Sequence, residues 1–127
     1  MKTFSQLKKL LLIINPVSGR RTSLRFLPDI IKIFSESDYA VTVFPTGKSG
    51  DATQFAQLYG SEFDLIVCIG GDGTLNEVIF GLQVLEKQPL VGYLPQGSTN
   101  DFAASLKIPS DPAKAAEAIV RGETRQL

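Results

Sequence analysis

The sequence predicts an α/β fold, a three-layer, doubly wound and mostly parallel sheet, on three observations. Four short apolar runs, at residues 10–14, 39–44, 64–69 and 90–94, have strand length and are continuous or nearly so. Continuous runs suit strands covered on both faces, as in a parallel sheet. Between them lie segments with apolar residues at helical spacing, so strand and helix alternate along the chain. Each run is followed by a polar loop bearing glycine or proline, and in an open parallel sheet such loops gather at the edge where the strands end.

Taken in order, the first run leads into Asn15-Pro16-Val17-Ser18-Gly19-Arg20, and Leu24, Leu27, Ile30, Ile31 and Phe34 then recur at three- and four-residue steps as a helix. The second run leads into Pro45-Thr46-Gly47; Ser49 is placed to cap a helix carrying Ala52, Phe55, Ala56 and Tyr59. The third run ends in a glycine cluster, followed by Val78, Ile79, Leu82 and Leu85 at helical spacing. The fourth leads into Pro95-Gln96-Gly97-Ser98-Thr99-Asn100-Asp101 and a short helix over 102–106. A last helix is predicted over 112–121, with Pro112 in its first turn and Gly122 as its stop. Every crossover is expected to be right-handed.

Composition excludes several classes. The chain has 127 residues, which suits one domain, with 43% hydrophobic and 20% charged residues. Thirteen basic and thirteen acidic side chains cancel, so no broad basic face offers itself to nucleic acid, and any phosphate must be recognised locally. Without histidine there is no His-based triad and no His-containing zinc site. The lone Cys68 sits in an apolar run and reads as a buried small hydrophobe, which fits a reducing cytoplasm. The apolar run near the N-terminus is too short for a signal peptide, and nothing approaches the ~20 apolar residues of a membrane span.

The chemistry concentrates at Gly70-Gly71-Asp72-Gly73-Thr74-Leu75-Asn76-Glu77. A strand delivers the chain to a turn where glycines take positive φ and let an anion approach the backbone. The helix that follows aims unpaired N–H groups and its positive end at that anion. Asp72 only accepts hydrogen bonds when ionised, so bare phosphate would repel it; it makes sense beside phosphate-bound magnesium or beside a hydroxyl that attacks phosphorus. The plain alternative is a glycine turn with Asp72 or Thr74 capping the helix. Gly97 and Ser98 can bring donors to a phosphate or ribose, while Asn100 or Asp101 can simply cap the helix after them. Asn15 and Thr46 are either turn formers or ligand contacts, and Arg20 and Arg21 either phosphate partners or an exposed pair. Gly47-Lys48-Ser49 is no P-loop, because the position that needs a further glycine is Thr42, and the glycine cluster lacks dinucleotide-fingerprint spacing.

Together, Asn15-Pro16-x-Ser18-Gly19, Gly70-Gly71-Asp72-Gly73-Thr74-x-Asn76-Glu77 and Pro95-x-Gly97-Ser98-x-Asn100-Asp101-Phe102-Ala103 resemble the catalytic domain of diacylglycerol kinase-related lipid kinases, a group that includes sphingosine kinases and bacterial lipid kinases. The resemblance runs in order from about Leu10 to the end of the chain. It implies a phosphofructokinase/NAD kinase-like N-terminal domain, with ATP held by Thr46, Gly70 through Asn76 (Leu75 among them) and Ser98. Asn15, Ser18, Gly19, Gly97 and Asn100 complete the nucleotide contacts expected from the outer motifs. Asp72 would belong to the magnesium and catalytic network, with Asp101 in support. Ser98 stands where the family usually has Thr and keeps the hydroxyl.

The resemblance further implies transfer of the γ-phosphoryl of ATP to the free hydroxyl of diacylglycerol or a related lipid, within phospholipid metabolism. Residues 1–127 are then read as the nucleotide-binding domain of a longer enzyme, with a β-rich second domain carrying the general base and most of the lipid pocket. By itself the domain is expected to bind nucleotide and to be inactive or nearly so. Transient membrane contact is expected through the rest of the protein, with a cytoplasmic, peripheral location; a homodimer is an allowed assembly. Competing readings are an NAD kinase-like enzyme, which shares the middle motif, and a nucleotide-binding module without chemistry.

Overall fold

The computed structural model describes residues 3–16, 25–95 and 112–122. Four parallel strands, β1 (Lys8–Ile14), β2 (Tyr39–Pro45), β3 (Leu65–Gly70) and β4 (Leu90–Pro95), form one sheet in the order β2-β1-β3-β4. Among the described residues four α-helices accompany them: α1 (Leu27–Glu36), α2 (Asp51–Tyr59), α3 (Asp72–Leu82) and α4 (Pro112–Val120). Leu24 and the short helix expected over 102–106 lie outside the described residues.

The three layers follow from how the strand side chains alternate. Leu10, Leu12 and Ile14 of β1, with Leu65, Val67 and Ile69 of β3, face α1 and α4 through Ile30, Phe34, Ala115, Ala116 and Ile119. The intervening residues Leu11, Ile13, Ile66 and Cys68 face α2 and α3 through Ala52, Ala56, Leu75, Val78 and Leu82. With both faces covered, all of β3 is buried, and so are the last five residues of β1. Cys68 is a fully buried free thiol, as its apolar setting predicts.

The sheet is doubly wound about β1. The chain moves outward to β2 past α1 on one face, and reaches β3 and β4 past α2 and α3 on the other. Opposite directions on opposite faces are what a single hand of crossover requires. The strand order therefore reverses between β1 and β3, the switch point where ligands of open α/β sheets bind.

Two expectations need correction. β2 is apolar but for Thr42 yet only partly covered, with Val43 37% exposed; it lies at the edge of the described sheet and pairs with β1 alone among the described strands. A continuous apolar run thus did not mean two covered faces here. Nor does Ser49 cap α2: Gly50 occupies that position at φ 94°, with no side-chain cap bond. Asp51 instead folds back, and its Oδ2 accepts from the amides of Gly47 and Lys48 at 2.8 and 3.0 Å. Gly122, by contrast, closes α4 as predicted, at φ 92°.

Helix packing depends on small residues. A Cβ on Gly81 of α3 would run into the backbone carbonyl of Thr53 and into Ala56 of α2. That absence of a side chain lets α2 and α3 lie close enough to seal their face of the sheet.

Candidate functional site

The parallel register brings the strand ends to one edge. Ile14 lies opposite both Pro45 and Ile69, and Gly70 opposite Pro95. The backbone continues the ladder into the loops: Asn15 N donates to Ile69 O at 2.9 Å, and Thr46 N to Ile14 O at 2.8 Å. Asn15, Thr46 and the Gly70–Gly73 turn are thereby gathered at the switch point. Asn15 and Thr46 line a cleft of about 470 Å³ together with Gly47, Lys48 and Glu77.

α3 opens directly onto this edge. Its N-cap is Gly71, extended at φ −88° and ψ −178°, a residue with no side chain to cap the helix. Leu75 N already bonds to Gly71 O at 3.3 Å, so the amides of Asp72, Gly73 and Thr74 form the first turn that a helix leaves unpaired internally. An uncapped helix start at a switch point is an anion-seeking arrangement. The glycines, however, do not take the positive φ expected of them; among the described glycines only Gly50 and Gly122 do. Gly70 is needed for space instead, since a Cβ there would meet Thr74 Oγ1 at 3.0 Å and Asn15 Cβ at 3.4 Å. A Cβ on exposed Gly73 would meet nothing within 4 Å. Closeness of approach, not backbone handedness, is what these glycines provide.

The site residues differ in setting. Thr74 is buried at 8% exposure and Leu75 is fully buried in the core, while Asn76 is exposed. Asp72 is half-buried and does not line the cleft beside Thr46; it points to the β4 side, where its Oδ1 accepts from the Tyr93 hydroxyl at 2.9 Å. That hydroxyl also lies 3.3 Å from Gly70 O. Burial, followed by the hydrogen bond and charge of Asp72, pushes the Tyr93 phenol well above its ordinary value, so it stays a donor. Cys68 is likewise pushed up, by burial and then by the charge of Glu77. Ser18, Gly19, Gly97, Ser98, Asn100 and Asp101 lie outside the described residues.

Two contributors were not singled out in the sequence as site residues. Glu77, one turn beyond Asp72 on α3, accepts from Gly50 N through Oε1 at 2.9 Å, while its carbonyl accepts from Thr53 Oγ1 at 2.8 Å. It thereby ties the 46–50 turn, which carries Thr46, to the helix that carries Asp72. Tyr93 left one signal, a phenol in an otherwise aliphatic strand. The amides of Gly47 and Lys48 are occupied by Asp51, which agrees with the rejection of a P-loop there. No group of three or more metal-ligating side chains occurs among the described residues, and none of their helices is long and apolar enough to cross a membrane.

Fold and site together define a doubly wound α/β domain with a glycine-lined, uncapped helix start at its switch point. The diacylglycerol kinase catalytic domain profile matches residues 9–127, and the chain belongs to that family. It is 41% identical over 123 residues to a diacylglycerol kinase of Bacillus subtilis (strain 168), covering 95% of this chain and 41% of that protein. A diacylglycerol kinase of Staphylococcus carnosus (strain TM300) is 34% identical over 118 residues, covering 92% and 39%. A solved diacylglycerol kinase structure from Bacillus anthracis str. Sterne superimposes with a TM-score of 0.79 at 36% identity, covering 95% of this chain and 42% of that one. The chain thus spans about two fifths of the length of these relatives. The phosphofructokinase/NAD kinase-like architecture expected from the resemblance is the one found.

Proposed function

We propose that this chain is the nucleotide-binding part of an ATP-dependent lipid kinase, which moves the γ-phosphoryl of ATP to a hydroxyl of diacylglycerol or a related lipid. The observation that carries the reading is Asp72, held by Tyr93 at the uncapped start of α3 beside the Gly70–Gly73 turn. Family membership supplies the reaction class.

The chain's own residues divide the work between binding and orientation. First-turn amides of α3 would donate to phosphate oxygens, with Gly73 leaving the approach open. Thr46 and Asn15 border the adjoining cleft and would orient the rest of the nucleotide. The donor set fits magnesium, which is commonly held by one or two carboxylates plus phosphate oxygens and water, not by an all-protein cage. Asp72 would hold the ion, which when bound neutralises charge on the β- and γ-phosphates. By the family resemblance, Ser98 is proposed to contact the nucleotide and Asp101 to support the catalytic network.

Phosphoryl transfer depends on positioning both reactants. The general base and the lipid pocket are proposed to lie beyond residue 127, as is the transient contact with the membrane from the cytoplasm, so the isolated chain would bind nucleotide without appreciable turnover. The test is transfer from labelled ATP by the full-length protein, wild type and Asp72→Ala, with mixed lipid vesicles and with NAD offered separately. Labelled lipid that disappears in the variant supports the reading. Labelled NAD would replace it with an NAD kinase, and saturable nucleotide binding with neither product would leave a binding module.

A further inference from the structure

We infer that Tyr93 is a positioning residue for the phosphoryl transfer, holding the Asp72 carboxylate in working orientation. The inference rests on the lipid-kinase reading above and adds a residue that the three motifs do not contain.

Asp72 stands at the first position of α3, where an aspartate readily turns its carboxylate back onto nearby first-turn amides. Here the N-cap is Gly71, which has no side chain to offer, and Oδ1 of Asp72 engages the Tyr93 hydroxyl at 2.9 Å. One oxygen of the carboxylate is therefore held from β4. Were it to fold onto the helix, one carboxylate would both occupy the amides proposed for phosphate and leave its place beside the ion.

Tyr93 is built to resist such a swing. Tyr93 is 4% exposed, in a strand paired residue for residue with β3, where Cys68 is its partner. The hydroxyl also lies 3.3 Å from the carbonyl of Gly70, the last residue of β3 and part of the turn that launches α3. A phenol has one hydrogen, and the shorter, charge-assisted contact to the carboxylate is the stronger of the two. Tyr93 thus references Asp72 to the strand end, so helix start and carboxylate keep one geometry. A tyrosine serving only to satisfy its own buried hydroxyl could have used the Gly70 carbonyl alone.

Tyr93→Phe keeps the ring and removes the hydroxyl. In the full-length protein, kcat is expected to fall about tenfold or more, the effect of losing a partner that orients a metal ligand, with KM for lipid unchanged. Calorimetry adds a readout independent of turnover: the gain in ADP affinity caused by magnesium should shrink by about tenfold in the variant. In an Asp72→Asn background, Tyr93→Phe should cost little more, because the group it positions is already altered. If the variant melts at a lower temperature but keeps the wild-type kcat and magnesium gain, Tyr93 is structural and the inference fails. An inactive wild type would instead sink the lipid-kinase reading, and this inference with it.

Discussion

Glu77 Oε1 accepts a hydrogen bond from the amide of Gly50 at 2.9 Å, joining the middle of α3 to the residue that caps α2. Gly50 holds φ 94°, a conformation that disfavours a side chain, and the Glu77 carbonyl receives Thr53 Oγ1 just beyond it. One residue thus locates the 46–50 turn against the helix that presents Asp72.

Glu77→Ala should loosen that turn. The bond is exposed, so its loss is expected to destabilise the fold by only about 1 kcal/mol. Nucleotide affinity should fall by more than that figure implies, because Thr46 is no longer placed. Urea denaturation together with ADP titration separates the two effects, and Glu77→Gln, which retains an acceptor, should lie between.

Asp72→Ala should leave the fold nearly intact, since the side chain is half-buried at a helix start. Phosphoryl transfer by the full-length protein should fall by roughly 10²–10⁴-fold, the range of a positioned acid–base or charge-stabilising group. Circular dichroism melting and a labelled-ATP assay check the pair of outcomes.

Gly73→Ala divides stability from function in the opposite sense. The new methyl meets nothing within 4 Å and sits in a helix, so stability should rise by about 0.5–1 kcal/mol. The same methyl would project where phosphate is proposed to approach, and ADP affinity should drop. Equal ADP binding by Gly73→Ala and wild type would count against the phosphate cradle.

Gly81→Ala should be among the most damaging small changes. Its methyl would strike the Thr53 carbonyl, which is backbone and cannot turn aside. A loss of about 1–3 kcal/mol is expected from overpacking, read as a lowered urea midpoint.

Alkaline pH should destabilise the fold through Cys68. Its thiol is pushed above the ordinary value of 9.0 by burial and then by Glu77, so the folded chain keeps a proton that the unfolded chain releases. The native state then binds more protons, and stability is fully present below the unfolded thiol's range and falls as pH rises through it, at about 1.4 kcal/mol per pH unit. Tyr93, also pushed up, adds to the decline above its ordinary value of 10.0. Stability at pH 8 and pH 10 should differ less in Cys68→Ala than in wild type.

The strands of the buried sheet were legible because burial on both faces writes a continuous apolar run, as β1 and β3 show. The same signal overstated β2, whose apolar residues are partly exposed at the sheet's edge, since a strand's neighbours are not written in its own composition. Ser49 was a reasonable cap by type, yet the turn begins α2 one residue later, and Asp51 takes the adjacent amides. The glycine turn was legible as a place of close approach, but the backbone handedness expected there was absent.

By itself, the sequence determined the alternation of strand and helix, the two covered faces, and the gathering of Asn15, Thr46 and the Gly70–Gly73 turn at one edge. Those features arise from local periodicity and from the common direction of parallel strands. Tertiary structure alone decided the strand order, hence the switch point between β1 and β3, and the partners of the polar side chains at that edge. Tyr93 and Asp72 are 21 residues apart in the chain, and Glu77 and Gly50 are 27 apart. A hydrogen bond forms between groups that packing brings within about 3 Å, and no spacing along the chain encodes which groups those are.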